Sequence, residues 1–184
     1  MRCLLFFCAV AALQAQTPNQ IQIQNEVIDL INEARTQPFR FAENYLRNRR
    51  KESAEAEECY RELQRTPQIA PLQKATALTE SSADHAEDTG RAGITGHVGR
   101  NGSTLRQRIE RHGNWDGSIA ENISYGRNDA LLIVLDLLID EGIADRGHRR
   151  NILDPTLAFV GVAVRPHQSR YRFICVLDFA RRIE

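Results

Sequence analysis

The sequence predicts a single domain of mixed α and β structure, either α+β or a layered α/β/α arrangement. Three observations support this prediction. Apolar residues recur at helical spacing through the first half of the chain, beginning at Ile21. An alternating segment, SIAENISYG (118–126), lies between two helical patterns. Two β-rich runs, LAFVGVAVRPH (157–167) and YRFICVLDFA (171–180), follow each other near the C-terminus.

The first fifteen residues have the layout of a secretory signal peptide. Arg2 supplies positive charge, an apolar run extends from Leu4 to Leu13, and the small residue Ala15 precedes the expected cleavage point. The run is shorter than a membrane-spanning helix, and no later segment is long and apolar enough to anchor the chain. We therefore expect a signal at 1–15, a polar linker at 16–23 and a folded domain at 24–184, in a secreted protein (periplasmic if the source is bacterial).

The composition argues against nucleic acid as a partner and does not decide whether the cysteines form a disulfide. Lysine plus arginine equal aspartate plus glutamate, 24 each, so the protein has no overall positive field to hold nucleic acid. The 42% of hydrophobic residues suffices for a sizeable core. Cys3 and Cys8 lie in the expected signal. Cys59 and Cys175 remain, either as a disulfide, which an oxidising compartment permits, or as two buried free thiols.

Helical patterns account for the chain from Ile21 to residue 65. The first stripe is broken or restarted at Pro38, and a helical pattern resumes over 39–50. Interleaved charges over 51–65 are typical of a helix with a solvated outer face. Its thin apolar stripe comprises Ala56, Cys59 and Leu63.

Two further helices are expected before the first strand. After a loop or short extended connection at 66–72, Thr79 is the expected N-cap of a helix that ends near Arg91. Ser103 and Gly113 are the expected N-cap and terminator of a short helix. The packed side of the Thr79 helix is expected to comprise Leu78, Ser82, His85, Ala86 and Thr89.

The residue pattern in the second half of the chain predicts three strands and one apolar helix. Gly126 ends the alternating strand. The segment NDALLIVLDLLIDEG (128–142) begins with Asn or Asp as cap and is apolar nearly all round, which at this length indicates a core helix. The runs at 157–167 and 171–180 predict an antiparallel hairpin with a short turn around 168–170.

Four polar residues are candidates for chemistry. His97 and His148 each follow a glycine in a loop, and Glu121 lies among apolar neighbours in the predicted strand. Asp140 lies at a helix C-terminus, where a carboxylate opposes the helix dipole and is expected to have a cationic partner, Arg146 or His148. Neutral imidazoles are good ligands for zinc or copper, and nearby carboxylates orient such rings or complete the coordination shell.

Other polar residues have structural explanations. His85 is expected to pack or cap, and Trp115 to cover an edge of the core. No nucleophile is clearly presented, because Ser124 lacks a GxSxG context and Cys175 lies in an apolar strand. Three arginines, Arg146, Arg149 and Arg150, are expected to form ion pairs with Asp140, Glu141 and Asp154.

Several motifs occur in an order that resembles the CAP superfamily (cysteine-rich secretory, antigen 5 and pathogenesis-related 1 proteins; the SCP domain), in a compact, cysteine-poor form. They are LINEAR, GHVGRNG, AENISYG, DRGHRRNIL and VGVAV leading into VLDFA, and they span about residues 24 to 181. The resemblance implies a three-layer α/β/α sandwich with a central, mostly antiparallel sheet, and a cleft lined by two histidines and two acids. His97, Glu121 and His148 match three of these positions, while the second acid is Asp140, with Glu141 and Asp136 as alternatives.

The candidate residues and the resemblance together support two functions. The first is a secreted binding module in which His97 and His148 hold zinc or another divalent metal, with Glu121 and Asp140 as orienting groups or additional ligands, and which binds a lipid, sterol, glycan or extracellular protein. The alternative is a metal-dependent hydrolase, a protease or esterase, whose catalytic acids are Glu121, as general base, and Asp140. We favour binding, because the resemblance implies no generally established catalysis and the sequence shows no separate nucleophile.

Overall fold

A computed structural model describes residues 17–184 of the chain, so the expected signal at 1–15 lies outside the described residues. Helices precede, separate and flank four strands. In chain order the elements are α1 (Pro18–Thr36), α2 (Pro38–Phe41), a π-helical turn (Ala42–Leu46), α3 (Ala54–Leu63), β1 (Gln73–Lys74), α4 (Thr76–Ala92), α5 (Leu105–Ile109), β2 (Trp115–Tyr125), α6 (Ala130–Ile139), α7 (Gly147–Leu153), β3 (Phe159–His167) and β4 (Arg172–Ile183).

The strands form one sheet in the order β1-β3-β4-β2. The pairs β3/β4 and β4/β2 are antiparallel, and only the two-residue strand β1 runs parallel to its neighbour β3. Helices cover both faces of this sheet, α1 and α6 on one and α4 on the other. The predicted α/β/α sandwich with a mostly antiparallel sheet is confirmed, as is the C-terminal hairpin.

Alternating side chains of the hairpin divide the core between the two faces. Val162 and Leu177 pack with α1 and α6 in the larger core, whereas Ala163 and Val176 pack against α4. Helix α4 lies very close to β3, since a Cβ added at Gly161 would lie 2.1 Å from backbone atoms of Leu78 and Thr79. Only glycine therefore permits this approach of helix and strand.

The prediction of a linker at 16–23 is wrong from Pro18 onward, where α1 begins. Thr17 and Gln20 form a capping box, in which the Gln20 backbone N–H donates to the Thr17 hydroxyl and the Thr17 backbone N–H donates to the Gln20 side chain. Ile23 is buried in the larger core. A strong cap and an inward apolar residue therefore extend the helix past the predicted linker.

Two predicted N-caps are also wrong. Helix α4 follows Ala75, and the Thr79 hydroxyl donates instead to the Ala75 carbonyl from within the first turn. Helix α5 is capped by Thr104, not Ser103, because Thr104 forms a capping box with Gln107. The predicted packed side of α4 is confirmed as buried: Leu78, Ser82, His85, Ala86 and Thr89.

The two cysteines within residues 17–184, Cys59 and Cys175, are buried and unpaired. Cys59 lies on α3 and Cys175 on β4, and both are free thiols in the larger core. This decides between the two alternatives that the sequence left open. Within residues 17–184, none of the helices combines the length and apolar character needed to cross a bilayer.

Candidate functional site

Strand β2, at the edge of the sheet, contacts both histidine segments through consecutive residues. Glu121 accepts a hydrogen bond from Nδ1 of His97 at 2.8 Å, and the Asn122 side chain donates to the His148 carbonyl at 2.9 Å. Successive side chains of a strand point to opposite faces. The His97 loop therefore approaches β2 from the α4 side of the sheet, and the His148 segment approaches it from the α6 side.

The carboxylate of Glu121 is nearly inaccessible to solvent and accepts hydrogen bonds from two side chains. Its Oε1 accepts from His97, and its Oε2 accepts from the guanidinium of Arg108 on α5 at 2.5 Å. Arg108 is also buried and donates to the carbonyls of His97 and Ser103, at 3.1 and 3.0 Å. Sequence analysis did not single out Arg108, because a lone arginine in the RQRIER helix has no motif that distinguishes it from its exposed neighbours.

Hydrogen bonding and charge determine the ionisation of Glu121 and His97. Burial raises the pKa of Glu121, but the hydrogen bond from His97 and the positive charge of Arg108 outweigh burial and leave that pKa lowered. The same hydrogen bond raises the pKa of His97. An ionised carboxylate only accepts hydrogen bonds, so Nδ1 of His97 carries a proton.

The His97 loop is held through its backbone by side chains of β2, α4 and β3. The Gly96 N–H donates to the Tyr125 hydroxyl at 2.9 Å, and the Gly96 carbonyl lies 2.9 Å from Nε2 of His85 on α4. Nε2 of His167 lies 3.0 Å from the carbonyl of Ile94. His85 is thus packed, as predicted, and it also positions the loop that carries His97.

A second histidine–carboxylate pair joins α6 to α7. Asp140 is buried at the C-cap of α6 and adopts a left-handed conformation with φ of 56°. Its carboxylate accepts from Nδ1 of His148 at 2.7 Å and from the His148 backbone N–H at 2.9 Å. Of the alternative acids, Asp136 pairs with Arg127 and Glu141 is exposed. Asp140 is therefore the acid that contacts His148.

The nearby arginines form ion pairs, but the predicted partners are wrong. Arg149 is fully buried and donates to Glu58 and Glu62 of α3, at 2.8 and 2.6 Å, as well as to the carbonyl of Leu138. Helix α3 packs beside α6 and supplies acids that lie far away in sequence. The other pairs are Arg146 with Glu58 and Arg150 with Asp145.

The rings of His97 and His148 use their two nitrogens in the same way. Each uses Nδ1 for a carboxylate, and among residues 17–184 neither Nε2 has a protein hydrogen-bond partner. The His97 side chain is 59% exposed and that of His148 is 22% exposed, so solvent reaches both. Within those residues no group of three or more His, Cys, Asp or Glu side chains could hold a metal ion by itself. An ion held by the two imidazoles alone would need water in its remaining coordination positions.

The order of the motifs has a counterpart in a family of known proteins. The family model described as the cysteine-rich secretory protein family, CAP, matches residues 28–179. The chain belongs to the CAP family. No curated protein sequence matches this CAP domain.

Three solved structures share its fold. An extracellular protein containing an SCP domain, from Bacillus anthracis, is 20% identical with a TM-score of 0.55, and a cysteine-rich secretory protein from Staphylococcus aureus is 14% identical with a TM-score of 0.56. Each match covers 92% of this chain but only 45% and 41% of those longer chains. An outer surface protein from Borrelia burgdorferi is 16% identical with a TM-score of 0.53, over 73% of this chain and 93% of its own.

Proposed function

We propose that the protein is a secreted CAP-domain binding module in which His97 and His148 hold a divalent cation such as zinc. One observation carries the proposal: each imidazole donates through Nδ1 to a buried carboxylate, which leaves Nε2 as a lone-pair donor. A carboxylate behind a ligating histidine commonly fixes its tautomer and ring orientation in metal sites. Glu121 and Asp140 would then orient the two rings.

The proposal requires the two Nε2 atoms to converge at the edge of β2. Glu121 and Asn122 are adjacent on β2, and because β2 is the edge strand both histidine segments reach the same edge of the sheet, which supports that convergence. Imidazole nitrogens bind zinc, water would complete its coordination shell, and the exposure of His97 provides a route for the ion. The bound cation supplies a positive charge and exchangeable coordination positions to a ligand in the cleft.

Secretion is the second part of the proposal. The first fifteen residues have a signal-peptide pattern, and solved relatives are described as extracellular or outer-surface proteins. A protein in that location meets lipids, sterols, glycans and other extracellular proteins, which we take as the ligand classes. Expression of the full chain, with N-terminal sequencing of the product in the medium or periplasm, tests the location. Retention of an uncleaved chain inside the cell would contradict it.

A hydrolase that uses Glu121 as general base is less well supported. Both oxygens of Glu121 are engaged, by His97 and Arg108, and its pKa is lowered. A general base works best with a pKa near the working pH and with an oxygen that can reach water. Asp140 likewise uses both oxygens to accept from His148. The geometry therefore favours binding over turnover.

A zinc titration of the mature protein tests the metal site. We expect saturable binding in the wild type and a loss of about 100-fold or more in affinity in the H97A/H148A double variant, because both proposed ligands are removed. The matched control is H112A, which removes a histidine that pairs with Asp84 on the α4–α5 surface. Equal affinity in the wild type and the double variant would contradict the site.

Catalysis needs a separate test. The mature protein and its E121Q variant are incubated with peptide and ester substrates, with and without a chelator. We expect no chelator-sensitive turnover. Turnover that disappears with both chelator and E121Q would support the hydrolase instead, and turnover that survives E121Q would exclude Glu121 as the base.

A further inference from the structure

The outer edge of β2 has backbone groups that no strand of the sheet pairs with. β2 is the last strand in the order β1-β3-β4-β2, so only one of its edges is paired. Opposite residues of an antiparallel pair alternate between hydrogen-bonded and non-hydrogen-bonded positions. The Gly126 N–H donates to the Phe173 carbonyl at 2.9 Å, so the even-numbered residues of β2 bond to β4 in this register. Four odd-numbered residues therefore direct their N–H and C=O groups away from the sheet: Ile119, Glu121, Ile123 and Tyr125.

The main-chain groups of these four residues form a strip about 20 Å long, at the usual rise of a strand. Across residues 17–184, no backbone or side-chain atom forms a hydrogen bond with the strip. The contacts that hold Glu121 to His97 and Tyr125 to Gly96 use the side chains of the two strand residues. Backbone polar groups need a partner from the protein, from water or from a ligand. The strip therefore meets water or a ligand.

The opposite edge of the sheet is protected. Strand β1 covers the start of β3, and beyond it the Val164 N–H donates to the Gln24 side chain at 3.0 Å, while the Val164 carbonyl accepts from Arg165 at 2.9 Å. Charged residues, proline or covering groups commonly protect exposed edges. The segment IAENISY (119–125) has no lysine, arginine or proline, and its one charged side chain is buried. The fold thus covers one edge and leaves the strip unpaired.

An extended polypeptide has the chemistry that this strip requires. Its N–H and C=O groups repeat at every second residue along each edge, as those of the strip do, whereas a lipid chain offers no such series. The His97 loop lies on the α4 side of the strip and the His148 segment on the α6 side. This flanking favours a single extended segment, which is one strand wide, over the edge of another folded domain.

We propose that the strip binds an extended segment of another polypeptide, which adds to the sheet as a fifth strand beside β2. About seven residues of that segment would span the strip. Its side chains would point alternately toward His97 and His148, and contacts with those residues would give specificity. The inference rests on the proposed binding function and names its ligand class, but no hydrogen bond of the strip involves the cation.

Amide hydrogen exchange tests both the strip and its occupant. The ¹⁵N-labelled mature protein is measured by NMR in a chelator, alone and with a peptide selected on it from a random library displayed on phage. Without peptide, we expect fast exchange at the strip amides and slow exchange at the even-numbered ones: Ala120, Asn122 and Ser124. The peptide should slow exchange of the strip amides by about tenfold or more, and the even-numbered amides are the internal control.

N-methylation of the selected peptide tests whether its main chain makes the contact. Each peptide N–H is replaced in turn, and the affinity for the wild-type protein is measured. Only one edge of a bound strand faces β2, so replacement at alternate positions should weaken binding by about tenfold. Replacement at the positions between them should have little effect. This series leaves the protein unchanged, so it does not depend on the folding of any variant.

A proline at the edge provides a test from the protein side. I119P removes an N–H of the strip and places a ring at the edge, while the hydrogen bonds of β2 to β4 involve the even-numbered residues. We expect about tenfold weaker peptide binding. The matched control is I119V, which keeps the N–H and should bind the peptide like the wild type.

The outcomes that overturn this inference differ from those that overturn the metal site. A library that yields no peptide with a Kd below about 100 µM contradicts the occupant. Affinity that responds equally to methylation at every position contradicts strand addition. Strip amides protected in a dimer without peptide would assign the edge to a second copy. Peptide binding without zinc binding contradicts the metal site alone, and zinc binding without peptide binding contradicts this inference alone.

Discussion

Asp140 accepts two hydrogen bonds from His148, one from the ring Nδ1 at 2.7 Å and one from the backbone N–H at 2.9 Å. A single carboxylate thus orients the ring and fixes the first turn of α7. It does so from a left-handed C-cap position, which Asp, Asn and Gly tolerate better than other residues. The unfavourable location of this acid at a helix C-terminus is explained by the imidazole that it holds.

Replacing Asp140 with alanine should destabilise the protein by roughly 2–4 kcal/mol. The change removes two hydrogen bonds of a buried carboxylate and leaves a residue with Cβ but no side-chain hydrogen bond in the left-handed region. D140N should lose less stability, because asparagine tolerates the left-handed conformation and its side-chain oxygen still accepts a hydrogen bond. Urea unfolding measures both. The matched control D136A, at the exposed pair with Arg127, should change stability by less than about 1 kcal/mol, and a D140A loss no larger than this would contradict the prediction.

The buried pair of Arg108 and Glu121 should behave as one unit. R108M alone should cost roughly 3–5 kcal/mol, because it leaves a carboxylate buried without its cation. The R108M/E121M double variant should lose clearly less than the sum of the two single losses. Urea unfolding of the four proteins gives this coupling energy. The exposed pair Arg182–Asp116 is the control, and additive losses at Arg108 and Glu121 would contradict the prediction.

Acidification should weaken the protein through His85. Burial lowers the pKa of His85 below its ordinary value of 6.5. Above pH 6.5 the ring is neutral in both the folded and unfolded chain, so it does not make the free energy of unfolding depend on pH. As pH falls below 6.5 the unfolded chain binds a proton that the folded chain does not, and the free energy of unfolding should fall by up to about 1.4 kcal/mol per pH unit until the lowered pKa is reached.

Urea unfolding of the wild type and H85Q between pH 8 and pH 5 measures this effect. Glutamine can donate to the Gly96 carbonyl from a similar position but does not titrate. The difference in stability between the two proteins should be constant above pH 6.5 and shift in favour of H85Q below it. Parallel pH profiles would show that His85 binds protons equally in the folded and unfolded chains.

The two thiols should be inert in the folded protein. Burial raises the pKa of Cys59 to about 12 and also raises that of Cys175, so the reactive thiolate is scarce at neutral pH. A thiol reagent should therefore modify both cysteines only after denaturation. Reduction should leave the mass of the mature protein unchanged. A gain in mass on reduction would reveal a disulfide and contradict the structure.

Local sequence patterns predicted the long elements of the fold but not their ends. The β-rich runs of β3 and β4 and the apolar run of α6 give clear patterns because these elements are nine to twelve residues long. The cap of α5 was misplaced because the adjacent hydroxyl residues Ser103 and Thr104 can both serve, and the cap of α4 was misplaced because that helix follows Ala75, which has no capping side chain. Strand β1 was missed because two residues carry no pattern, and only pairing with β3 makes them a strand.

The sequence by itself determined the fold class and identified His97, Glu121, Asp140 and His148 as the residues of interest. It could not determine which side chains surround them. Arg108 and Asp178 are brought to Glu121 by the placement of α5 and by the register of β2 against β4. Those contacts depend on how whole elements pack, and neighbours along the chain carry no information about that packing. The tertiary structure therefore decided that the carboxylate behind His97 belongs to a buried, charge-balanced cluster.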